Sequence, residues 1–361
     1  MAVFDVAILG GGPAGCAAAI PLARAGLRCV LVADPDLGPD RIEAIAPRLR
    51  GLLPRLGAGA EALITDAIPC PGLVCYWADG APAERSFIFD PHGEAMLVDR
   101  RSFDRRLLGL AQASGARVIA PARALALSPA RGGEIRIALD APHPRLRARQ
   151  VLLATGPLRR RLDPPPPPND LLIALTIVGR ARPGDADPRL LLEADREGWF
   201  YACAGPGGSA AICLLTDRET LAAGAGKNAL LAAALRRSPA VRAFADRHDW
   251  RGPCRAVPVP CFSRPSAAGP GIARIGAARR HHDPLTGRGV VEAMRDGCRA
   301  AEVLLGTGTL GAEQDYASYW QERTAFYSAA ADRFNSDFWS RRLPARERLR
   351  QSNRLARLEL L

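Results

Sequence analysis

Three glycines near the amino terminus have the spacing of a phosphate-binding turn. An apolar run over residues 6–9 leads into Gly10-Gly11-Gly12-Pro13-Ala14-Gly15, and a helix of small residues follows until Gly26. In such a turn the first glycine permits a tight bend, the second lets the backbone approach a pyrophosphate, and the third lets helix and strand pack closely. N–H groups at the start of the helix then face the anion. We therefore predict a dinucleotide site formed by Gly10, Gly12, Pro13, Ala14 and Gly15.

A second apolar run and an acidic residue complete this unit. Residues 29–32 are apolar, and Asp34 follows shortly after them. A carboxylate at the end of the second strand commonly binds the ribose hydroxyls of a dinucleotide. Strand, glycine turn, helix and strand thus occur in order, which predicts a Rossmann-type α/β domain at the start of the chain.

Composition limits the possible partners. The chain has 361 residues, of which 48% are hydrophobic, so it can bury a large core in one compound domain or two interleaved ones. Its net charge is +12, but Lys227 is the only lysine and the arginines are scattered over the whole length. This scatter favours a compositional bias over a nucleic-acid surface, and a basic face for an acidic partner is the alternative. We predict no nucleic-acid partner.

The cysteines and the apolar runs bear on the compartment. The nine cysteines are an odd number, contain no C-x-x-C pair and mostly lie inside apolar runs, which predicts reduced thiols in a cytoplasmic protein. No apolar stretch approaches the roughly 18 residues of a membrane span, and no signal-peptide pattern precedes the glycine turn. We also find no ligand set for a metal ion, so we predict neither a membrane segment nor a metal site.

The remaining segments predict two interleaved domains. Short apolar runs alternate with turns over residues 58–95, whereas residues 99–113 and 288–305 have helical spacing. Five consecutive prolines at 164–168 form a stiff connector. We predict a discontinuous dinucleotide-binding domain of residues 1–60, 95–163 and 251–310, a mainly β substrate domain of residues 61–94 and 164–250, and a C-terminal helical region of residues 311–361.

Three later motifs extend the glycine turn into a set. They are Asp99-Arg100-x-x-Phe103-Asp104, Ala154-Thr155-Gly156 and Asp283-Pro284-Leu285-Thr286-Gly287-Arg288-Gly289. With the turn, this ordered set resembles the FAD-dependent monooxygenase superfamily, which has the fold of p-hydroxybenzoate hydroxylase. The resemblance implies a Rossmann-type FAD-binding domain with an inserted, mainly β substrate domain and a C-terminal helical region. It also implies noncovalent FAD, held in addition by Asp34, Arg100, Asp283, Pro284, Gly287, Arg288 and Gly289.

Other segments resemble the halogenase-like branch of this superfamily. These segments are Glu43-Ala44-Ile45-Ala46-Pro47 and Gly198-Trp199-Phe200-Tyr201. Near the end of the chain, Phe338-Trp339-Ser340-Arg341-Arg342 resembles flavoproteins that mature tryptophan-derived quinone cofactors by hydroxylating a tryptophan in a partner polypeptide. Halogenases also carry a reactive lysine and a W-x-W-x-I-P segment. The latter is absent, and Lys227 stands at the start of what reads as a surface helix, so halogenation is disfavoured.

Two departures from the family pattern affect cofactor binding and electron supply. Ala277 stands where the family usually has an aspartate that binds the ribityl chain, which predicts FAD binding about ten- to a hundredfold weaker. Thr155 stands where aromatic hydroxylases have an acidic residue, and no second G-x-G-x-x-G is present. The electron source is therefore left open between NAD(P)H and external reduced flavin from a separate flavin reductase.

Two pairs of residues are candidates for catalysis and substrate binding. His281 and His282 precede Asp283 directly, so the resemblance places them beside the flavin, where one could donate or accept a proton. The alternative is that the two histidines only order the backbone.

Trp199 and Tyr201 alternate on a predicted strand and share a face, so they either line an aromatic pocket or fill a core.

The function predicted from these motifs is FAD-dependent hydroxylation of an aromatic group. In the family, O2 adds to reduced flavin at C4a, and the resulting hydroperoxide needs a dry pocket more than acid–base groups. The substrate is an aromatic small molecule or a tryptophan within an acidic peptide or protein. The arginines at 341, 342, 346, 348 and 350 suit an acidic polypeptide. The alternatives are a reductase or dehydrogenase of the geranylgeranyl-reductase type and a non-catalytic flavoprotein.

Overall fold

Unbroken apolar runs form the central strands of the first sheet, as expected for parallel strands that are covered on both faces. The computed structural model describes residues 3–34, 41–77, 81–140, 142–143, 145–157, 162–166, 168, 170–182, 187–250, 252–307, 314–334 and 336–343. None of the helices within these ranges combines the length and the apolar character that a membrane crossing needs.

Strands and helices alternate in the first third of the chain, and strands dominate the middle. The strands are β1 (Val3–Leu9), β2 (Cys29–Val32), β3 (Ile42–Ile45), β4 (Ile68–Cys70), β5 (Gly72–Tyr76), β6 (Ala83–Ser86), β7 (Ala95–Asp99), β8 (Arg117–Ile119), β9 (Ala124–Pro129), β10 (Ile135–Leu139), β11 (Leu146–Leu153), β12 (Asp170–Ala181), β13 (Leu190–Asp195), β14 (Gly198–Gly205), β15 (Ser209–Asp217), β16 (His248–Trp250), β17 (Arg255–Ser263), β18 (Ala267–Gly269), β19 (Ile272–Arg274) and β20 (Arg280–His281). The α-helices are α1 (Pro13–Arg24), α2 (Leu53–Leu56), α3 (Arg100–Ala113), α4 (Arg218–Ala223), α5 (Lys227–Arg237), α6 (Pro239–Asp246), α7 (Gly289–Leu304), α8 (Gln314–Phe334) and α9 (Asp337–Ser340).

The chain divides into two compact units. Unit 1 comprises residues 1–67, 98–169 and 260–312, and unit 2 comprises residues 68–97, 170–259 and 313–361. The proline run at 164–168 directly precedes one change of unit, and helices α8 and α9 fall in unit 2.

Unit 1 contains a parallel sheet of the Rossmann type, as predicted. Its strand order is β18-β19-β11-β1-β2-β8, with β1 parallel to both β11 and β2. β9 and β10 extend the sheet antiparallel from β11. One core cluster lies on this sheet and includes Leu9, Val30, Val151 and Leu153, each at most 3% exposed.

Local signals explain the two principal helices of unit 1. Pro13 occupies the first position of α1, where its missing N–H costs no hydrogen bond, and Gly26 with φ of +84° follows the end of the helix. Asp99 caps α3 by accepting a hydrogen bond from the Ser102 N–H at 2.7 Å. The predicted helices at 99–113 and 288–305 are confirmed as α3 and α7.

Unit 2 is built on a mixed sheet with a predominantly antiparallel pattern. Its strand order is β17-β12-β15-β14-β13-β5-β6, and β16 also pairs with β12. Helices α5 and α6 cover one side with a core cluster that includes Phe200, Leu214 and Leu231. β12 and β15 lie within residues 164–250, for which the sequence predicted a mainly β structure.

Candidate dinucleotide site

The glycine turn after β1 begins at Gly10 in a conformation that favours glycine. Gly10 has φ of +125°, and a Cβ atom there would lie 2.1 Å from the carbonyl oxygen of Ala154. A Cβ atom at Gly15 would lie 1.9 Å from the carbonyl oxygen of Gly10. Gly10 therefore makes the bend, and Gly15 lets α1 pack against it, which are the structural roles expected for the first and third glycines.

The second glycine differs from the other two because it faces open space. Gly12 is the N-cap of α1 with an ordinary extended backbone, φ −81° and ψ −174°, and no atom lies within 4 Å of its hypothetical Cβ. The first intrahelical hydrogen bond is from the Cys16 N–H to the Gly12 oxygen, at 3.0 Å. The N–H groups of Ala14 and Gly15 thus precede the helical ladder, and they are the donors that an anion at a helix N-terminus uses.

The position of this turn in the sheet is that of a ligand-binding crevice. β2 lies on one side of β1 and β11 on the other, so the chain connections leave β1 in opposite directions. In open parallel sheets, ligands bind at the carboxyl ends of the strands at such a switch point. Gly10 and the segment Ala154-Thr155-Gly156 both lie there, at the ends of β1 and β11.

The second glycine-containing motif meets the first within unit 1. A Cβ atom at Gly276, where φ is +59°, would lie 2.4 Å from Cβ of Ala14, at the start of α1. A Cβ atom at Gly297, on α7, would lie 2.2 Å from the carbonyl oxygen of Ala14. The structure thus brings the amino terminus of α1, the turn at 276–278 and helix α7 into contact. Two sequence motifs separated by about 260 residues are therefore in contact.

The loop before α7 is ordered by Asp283. This residue is 1% exposed, and its carboxylate accepts a hydrogen bond from the Leu285 N–H at 3.0 Å, while its backbone oxygen accepts one from the Thr286 hydroxyl at 3.1 Å. Pro284 begins the resulting 3-10 turn, which ends at Gly287 with φ of +59°. Arg288 is the N-cap of α7.

Open space lies beside the glycines of this loop. No atom is within 4 Å of a hypothetical Cβ at Gly287 or Gly289. A second helix amino terminus, that of α7, is therefore bordered by residues without side chains. The arrangement fits a dinucleotide: two helix N-termini supply N–H donors, and glycines leave room for the ligand beside them.

Asp34 carries an ion pair at the predicted ribose position. Its oxygens accept hydrogen bonds from Nε of Arg123 at 2.6 Å and from Nη2 at 3.3 Å. Arg123 therefore orients the carboxylate at the end of β2. A carboxylate at this position is the group that commonly binds the ribose hydroxyls of a dinucleotide.

Arg100 is held between two carboxylates. Its Nη1 donates to Glu43 at 2.6 Å and its Nε to Asp104 at 3.0 Å. Burial raises the pKa of Asp104 above its ordinary value, although Arg100 opposes this. For Glu43 burial acts in the same direction, but Arg100 and Arg41 outweigh it and the pKa is lowered. The partners were not foreseen from the sequence, although the four-residue spacing of Arg100 and Asp104 on a helix was a usable signal.

His281 has a defined tautomer. Its Nδ1 lies 2.5 Å from the Pro260 carbonyl oxygen, which can only accept, so Nδ1 carries the proton and Nε2 of the neutral ring is an acceptor. Burial lowers the pKa of His281. Burial, with Arg280 and His281 as further causes, lowers the pKa of His282 to about 3. Both rings are therefore neutral at neutral pH.

Histidines that stay neutral in the folded protein make its stability depend on pH. Between about pH 6.5 and pH 3 the unfolded chain binds protons that the folded His282 does not, so the free energy of unfolding falls as the pH decreases. Urea unfolding measures the free energy of unfolding at each pH. We expect the slope of this free energy against pH, between pH 7 and pH 5, to decrease in His282→Asn by up to ~1.4 kcal/mol per pH unit. His92→Asn, at an exposed position, is the control. An unchanged slope in His282→Asn would contradict the assignment.

The turn at Ala277 is held by an acidic residue that sequence reasoning missed. Asp296, on α7, accepts hydrogen bonds from the Gly276 N–H at 2.7 Å and from Nη1 of Arg279 at 3.0 Å. Ala277 itself is half-buried beside the start of α1. No motif identified Asp296, because its role depends on the contact between α7 and the turn.

Replacing Ala277 by aspartate tests whether this position faces the ribityl chain of FAD. We expect Ala277→Asp to tighten FAD binding about tenfold or more, because a hydrogen bond to a charged group contributes about 1.5–3 kcal/mol. Fluorescence titration of the apoprotein with FAD measures the dissociation constant. Ala278→Asp, at a fully buried neighbouring position, is not a suitable control, so Ala273→Asp at a half-buried site in β19 serves instead. An unchanged constant in Ala277→Asp would remove the ribityl assignment.

Trp199 and Tyr201 lie on β14 in unit 2, apart from the unit 1 motifs in the chain. Trp199 is 1% exposed, and its ring lies 6.1 Å from that of Trp77. Trp77 also contacts Trp339, with ring centroids 5.6 Å apart, and Trp339 contacts Tyr327 at 5.2 Å. Trp199 thus packs in an interior aromatic cluster, which is the core alternative, whereas Tyr201 is only half-buried.

The C-terminal arginines at 341 and 342 are paired with carboxylates of unit 2. Arg342 contacts Asp217 at 2.8 Å and Asp170 at 3.1 Å, and its guanidinium stacks on the Phe338 ring at 4.1 Å. Arg341 contacts Asp217 at 2.7 Å. Arg342 is therefore engaged inside unit 2, whereas Arg341 is paired but exposed, and attraction of an acidic polypeptide stays a prediction. Arg346, Arg348 and Arg350 lie outside the described residues.

Comparisons with known proteins agree with this geometry. The family model described as glucose inhibited division protein A matches residues 5–162. CmlS, a flavin-dependent halogenase, superposes with a TM-score of 0.81 at 20% identity, covering 98% of this chain and 70% of its own. The myxobacterial chondrochloren halogenase CndH superposes with a TM-score of 0.76 at 23% identity, covering 100% of this chain and 90% of its own. The peptidyl tryptophan dihydroxylase QhpG superposes with a TM-score of 0.73 at 23% identity, covering 94% of this chain and 79% of its own.

These similarities extend over both units of the chain. The glycine turn lies within the residues that the family model matches, and the second glycine motif lies outside them. The structures of CmlS and CndH cover 98% and 100% of the chain. The predicted fold class is confirmed. The chain therefore has the fold of the FAD-dependent monooxygenase superfamily, as its four sequence motifs indicated.

Proposed function

We propose that this protein is an FAD-dependent monooxygenase that hydroxylates an aromatic group, and that the group is a tryptophan side chain within a polypeptide. The observation that carries the proposal is the contact of the amino terminus of α1 with the turn at 276–278 and with Gly297 of α7, at the switch point of the unit 1 sheet. When bound, FAD supplies the redox chemistry and the activation of O2.

The residues of unit 1 have separate tasks in holding the cofactor. The N–H groups of Ala14 and Gly15 bind the pyrophosphate, and open space at Gly12 admits it. Asp34, oriented by Arg123, accepts from the ribose hydroxyls. The loop from Asp283 to Gly289 borders the other end of the cofactor, where Asp283 keeps the loop in a single conformation through its own hydrogen bonds.

His281 is the proton acceptor of this site. Its Nδ1 hydrogen bond to Pro260 fixes the ring and leaves Nε2 unprotonated at neutral pH. When a hydroxyl group replaces hydrogen on an aromatic carbon, a proton must leave that carbon, and a neutral imidazole of fixed orientation can take it. His282→Asn leaves this function intact, whereas His281→Asn removes it.

Hydroxylation is favoured over halogenation by the position of the lysine. Lys227 begins α5 in unit 2 and is exposed, with no close ion pair among the described residues. Halogenases of this superfamily use a lysine to handle hypohalous acid, and this chain has no other. Halogenase neighbours therefore support the fold of this chain but not their reaction.

The polypeptide substrate is the finer part of the proposal. It rests on the similarity to QhpG, a peptidyl tryptophan dihydroxylase whose structure covers 94% of this chain, and on the segment Phe338-Trp339-Ser340-Arg341-Arg342. In unit 2 this segment is interior: Phe338 and Trp339 are buried, and the Trp339 indole N–H donates to the Asp195 oxygen at 2.9 Å. The shared segment thus supports similar packing of the C-terminal helices.

Spectroscopy and oxygen uptake test the proposal in order. The purified protein should show the visible absorption bands of an oxidised flavin, and a colourless protein that does not bind added FAD would contradict any flavin-dependent function. The reduced holoenzyme should then consume O2 and transfer oxygen to an aromatic substrate. Reduction of an unsaturated substrate without oxygen transfer would instead support the reductase alternative.

A further inference from the structure

The outer edge of the unit 2 sheet is a short strand with exposed apolar residues beside it. β6 ends the strand order and, among the described strands, pairs only with β5. All four of its residues are exposed. Directly after it, Ile88 is 76% exposed and Phe89 is 94% exposed. An edge strand of this kind is either protected against pairing or used for it.

The register shows which backbone groups of β6 face outward. Ser86 pairs with Gly72 and Glu84 with Val74, and in the same register the Phe87 N–H donates to the Pro71 oxygen at 2.8 Å. In an antiparallel pair, successive residues direct their backbone groups to opposite sides. Phe87 and Arg85 therefore face β5, and the N–H and C=O groups of Glu84 and Ser86 face away from it.

The side chains give this edge a preference for acidic residues. The Glu84 carboxylate is already paired with Nη1 of Arg189 at 3.2 Å. Arg85 has no carboxylate partner among the described residues, and its guanidinium lies 5.7 Å from the centre of the Phe87 ring. A residue opposite Arg85 on an added strand would have its Cβ about 5 Å away, where an opposite charge is favourable.

A second copy of this chain does not fit the same edge. Two copies of β6 can pair antiparallel through their outward backbone groups in two registers, and each register pairs three residues of one strand with three of the other. One places Arg85 opposite Arg85, and the other places Glu84 opposite Glu84. Like charges directly opposite each other destabilise a strand pair, so homodimer formation through β6 is disfavoured.

We propose that β6 binds an extended segment of the polypeptide substrate as an added strand, with an acidic residue opposite Arg85 and an apolar side chain against Ile88 and Phe89. Backbone hydrogen bonds to Glu84 and Ser86 provide the pairing, and the net charge of +12 favours acidic segments. The inference rests on the proposed function for the nature of its ligand, but it concerns binding alone. It can therefore fail independently of hydroxylation.

The edge is tested with a defined peptide and a proline variant. The probe is a short fluorescein-labelled peptide in which valine alternates with aspartate around one tryptophan, and its binding to the holoenzyme is followed by fluorescence anisotropy. Glu84→Pro removes an outward N–H but no hydrogen bond to β5, so the strand should remain folded. We expect it to weaken binding about tenfold or more. Equal binding by Glu84→Pro and wild type would overturn the proposal.

Matched variants separate backbone pairing from side-chain effects. Glu84→Ala loses the ion pair with Arg189 but keeps the N–H, so it should bind like the wild type. A peptide N-methylated at alternate residues should not bind. Arg85→Glu should reverse the preference, favouring a peptide with lysine in place of aspartate, and Phe89→Ser should weaken binding severalfold. Binding that follows peptide charge but survives both N-methylation and Glu84→Pro would show a nonspecific basic surface and contradict strand addition.

Failure of the proposed function would look different. If the probe binds as described but no polypeptide gains oxygen, the edge is a docking site and the hydroxylase assignment is wrong. If a polypeptide gains oxygen at an equal rate in the wild type and Glu84→Pro at subsaturating substrate, then the hydroxylase assignment stands and docking at β6 is wrong.

Discussion

Gly12→Val is expected to yield a folded protein that purifies without flavin. The Gly12 backbone is in a region that valine favours, and no protein atom lies within 4 Å of the added Cβ, so the fold accommodates the side chain. The isopropyl group instead occupies the space that the pyrophosphate needs at the start of α1. We expect the FAD dissociation constant to rise about 100-fold or more, which corresponds to ~2.8 kcal/mol. Absorption spectra and FAD titration of the apoprotein measure the change.

The neighbouring glycines provide the matched controls. Gly15→Ala places a methyl group 1.9 Å from the Gly10 oxygen, and Gly10→Ala places one 2.1 Å from the Ala154 oxygen in a strained conformation. Both should lower the free energy of unfolding by ~3 kcal/mol, unlike Gly12→Val. Full flavin occupancy in Gly12→Val would show that the pyrophosphate lies elsewhere.

Arg342→Ala is expected to destabilise unit 2 strongly. The arginine side chain is 6% exposed and contacts Asp217, which is fully buried, as well as Asp170. Its removal leaves Asp217 with Arg341 as its remaining guanidinium contact among the described residues. Loss of one partner of a buried ion pair costs about 3–5 kcal/mol, because the other charge stays in the interior. Urea unfolding measures this difference.

An exposed arginine and the pH profile serve as controls for this prediction. Arg242→Ala removes a partner from a pair in which both side chains are mostly exposed, so its effect should stay below about 1 kcal/mol. Burial would raise the pKa of Asp217, but hydrogen bonds from Thr220, Arg341 and Arg342 lower it to about 2. Its contribution to stability is therefore present above about pH 4 and lost as the pH falls towards 2. Equal losses in Arg342→Ala and Arg242→Ala would contradict the role of the buried network.

Local patterns sufficed to predict much of unit 1. Strand, glycine turn and helix are adjacent in sequence, so the conformations of Gly10 and Gly15 follow from spacing and from the lack of a side chain. The cap of α3 at Asp99 and the turn ending at Gly287 are likewise local. Motif order then indicated that residues 276–289 join the first turn, although the contact of Gly276 with Ala14 required the folded sheet.

Interactions between distant residues could not be predicted in the same way. Spacing does not reveal that Glu43 pairs with Arg100 or that Asp296 holds the turn at Gly276, since these contacts depend on how helices pack. The sequence predicted a basic surface at Arg341 and Arg342 because nothing in it showed their carboxylate partners. These partners, Asp170 and Asp217, stand more than 120 residues earlier. A charge run by itself does not distinguish a solvated face from an interior network.

Mass spectrometry of a polypeptide after reaction in isotopically labelled O2 tests the central claim most directly. The holoenzyme is supplied with reduced flavin and with acidic, tryptophan-containing polypeptides encoded beside its gene, and His281→Asn and Gly12→Val are assayed in parallel. We predict that a tryptophan gains one or two labelled oxygen atoms with the wild-type enzyme, fewer with His281→Asn and none with Gly12→Val. A flavin-loaded wild-type enzyme that leaves every polypeptide unlabelled, while it labels free indole or phenol, would contradict hydroxylation of a tryptophan in a polypeptide. No label on any aromatic substrate would contradict the monooxygenase itself.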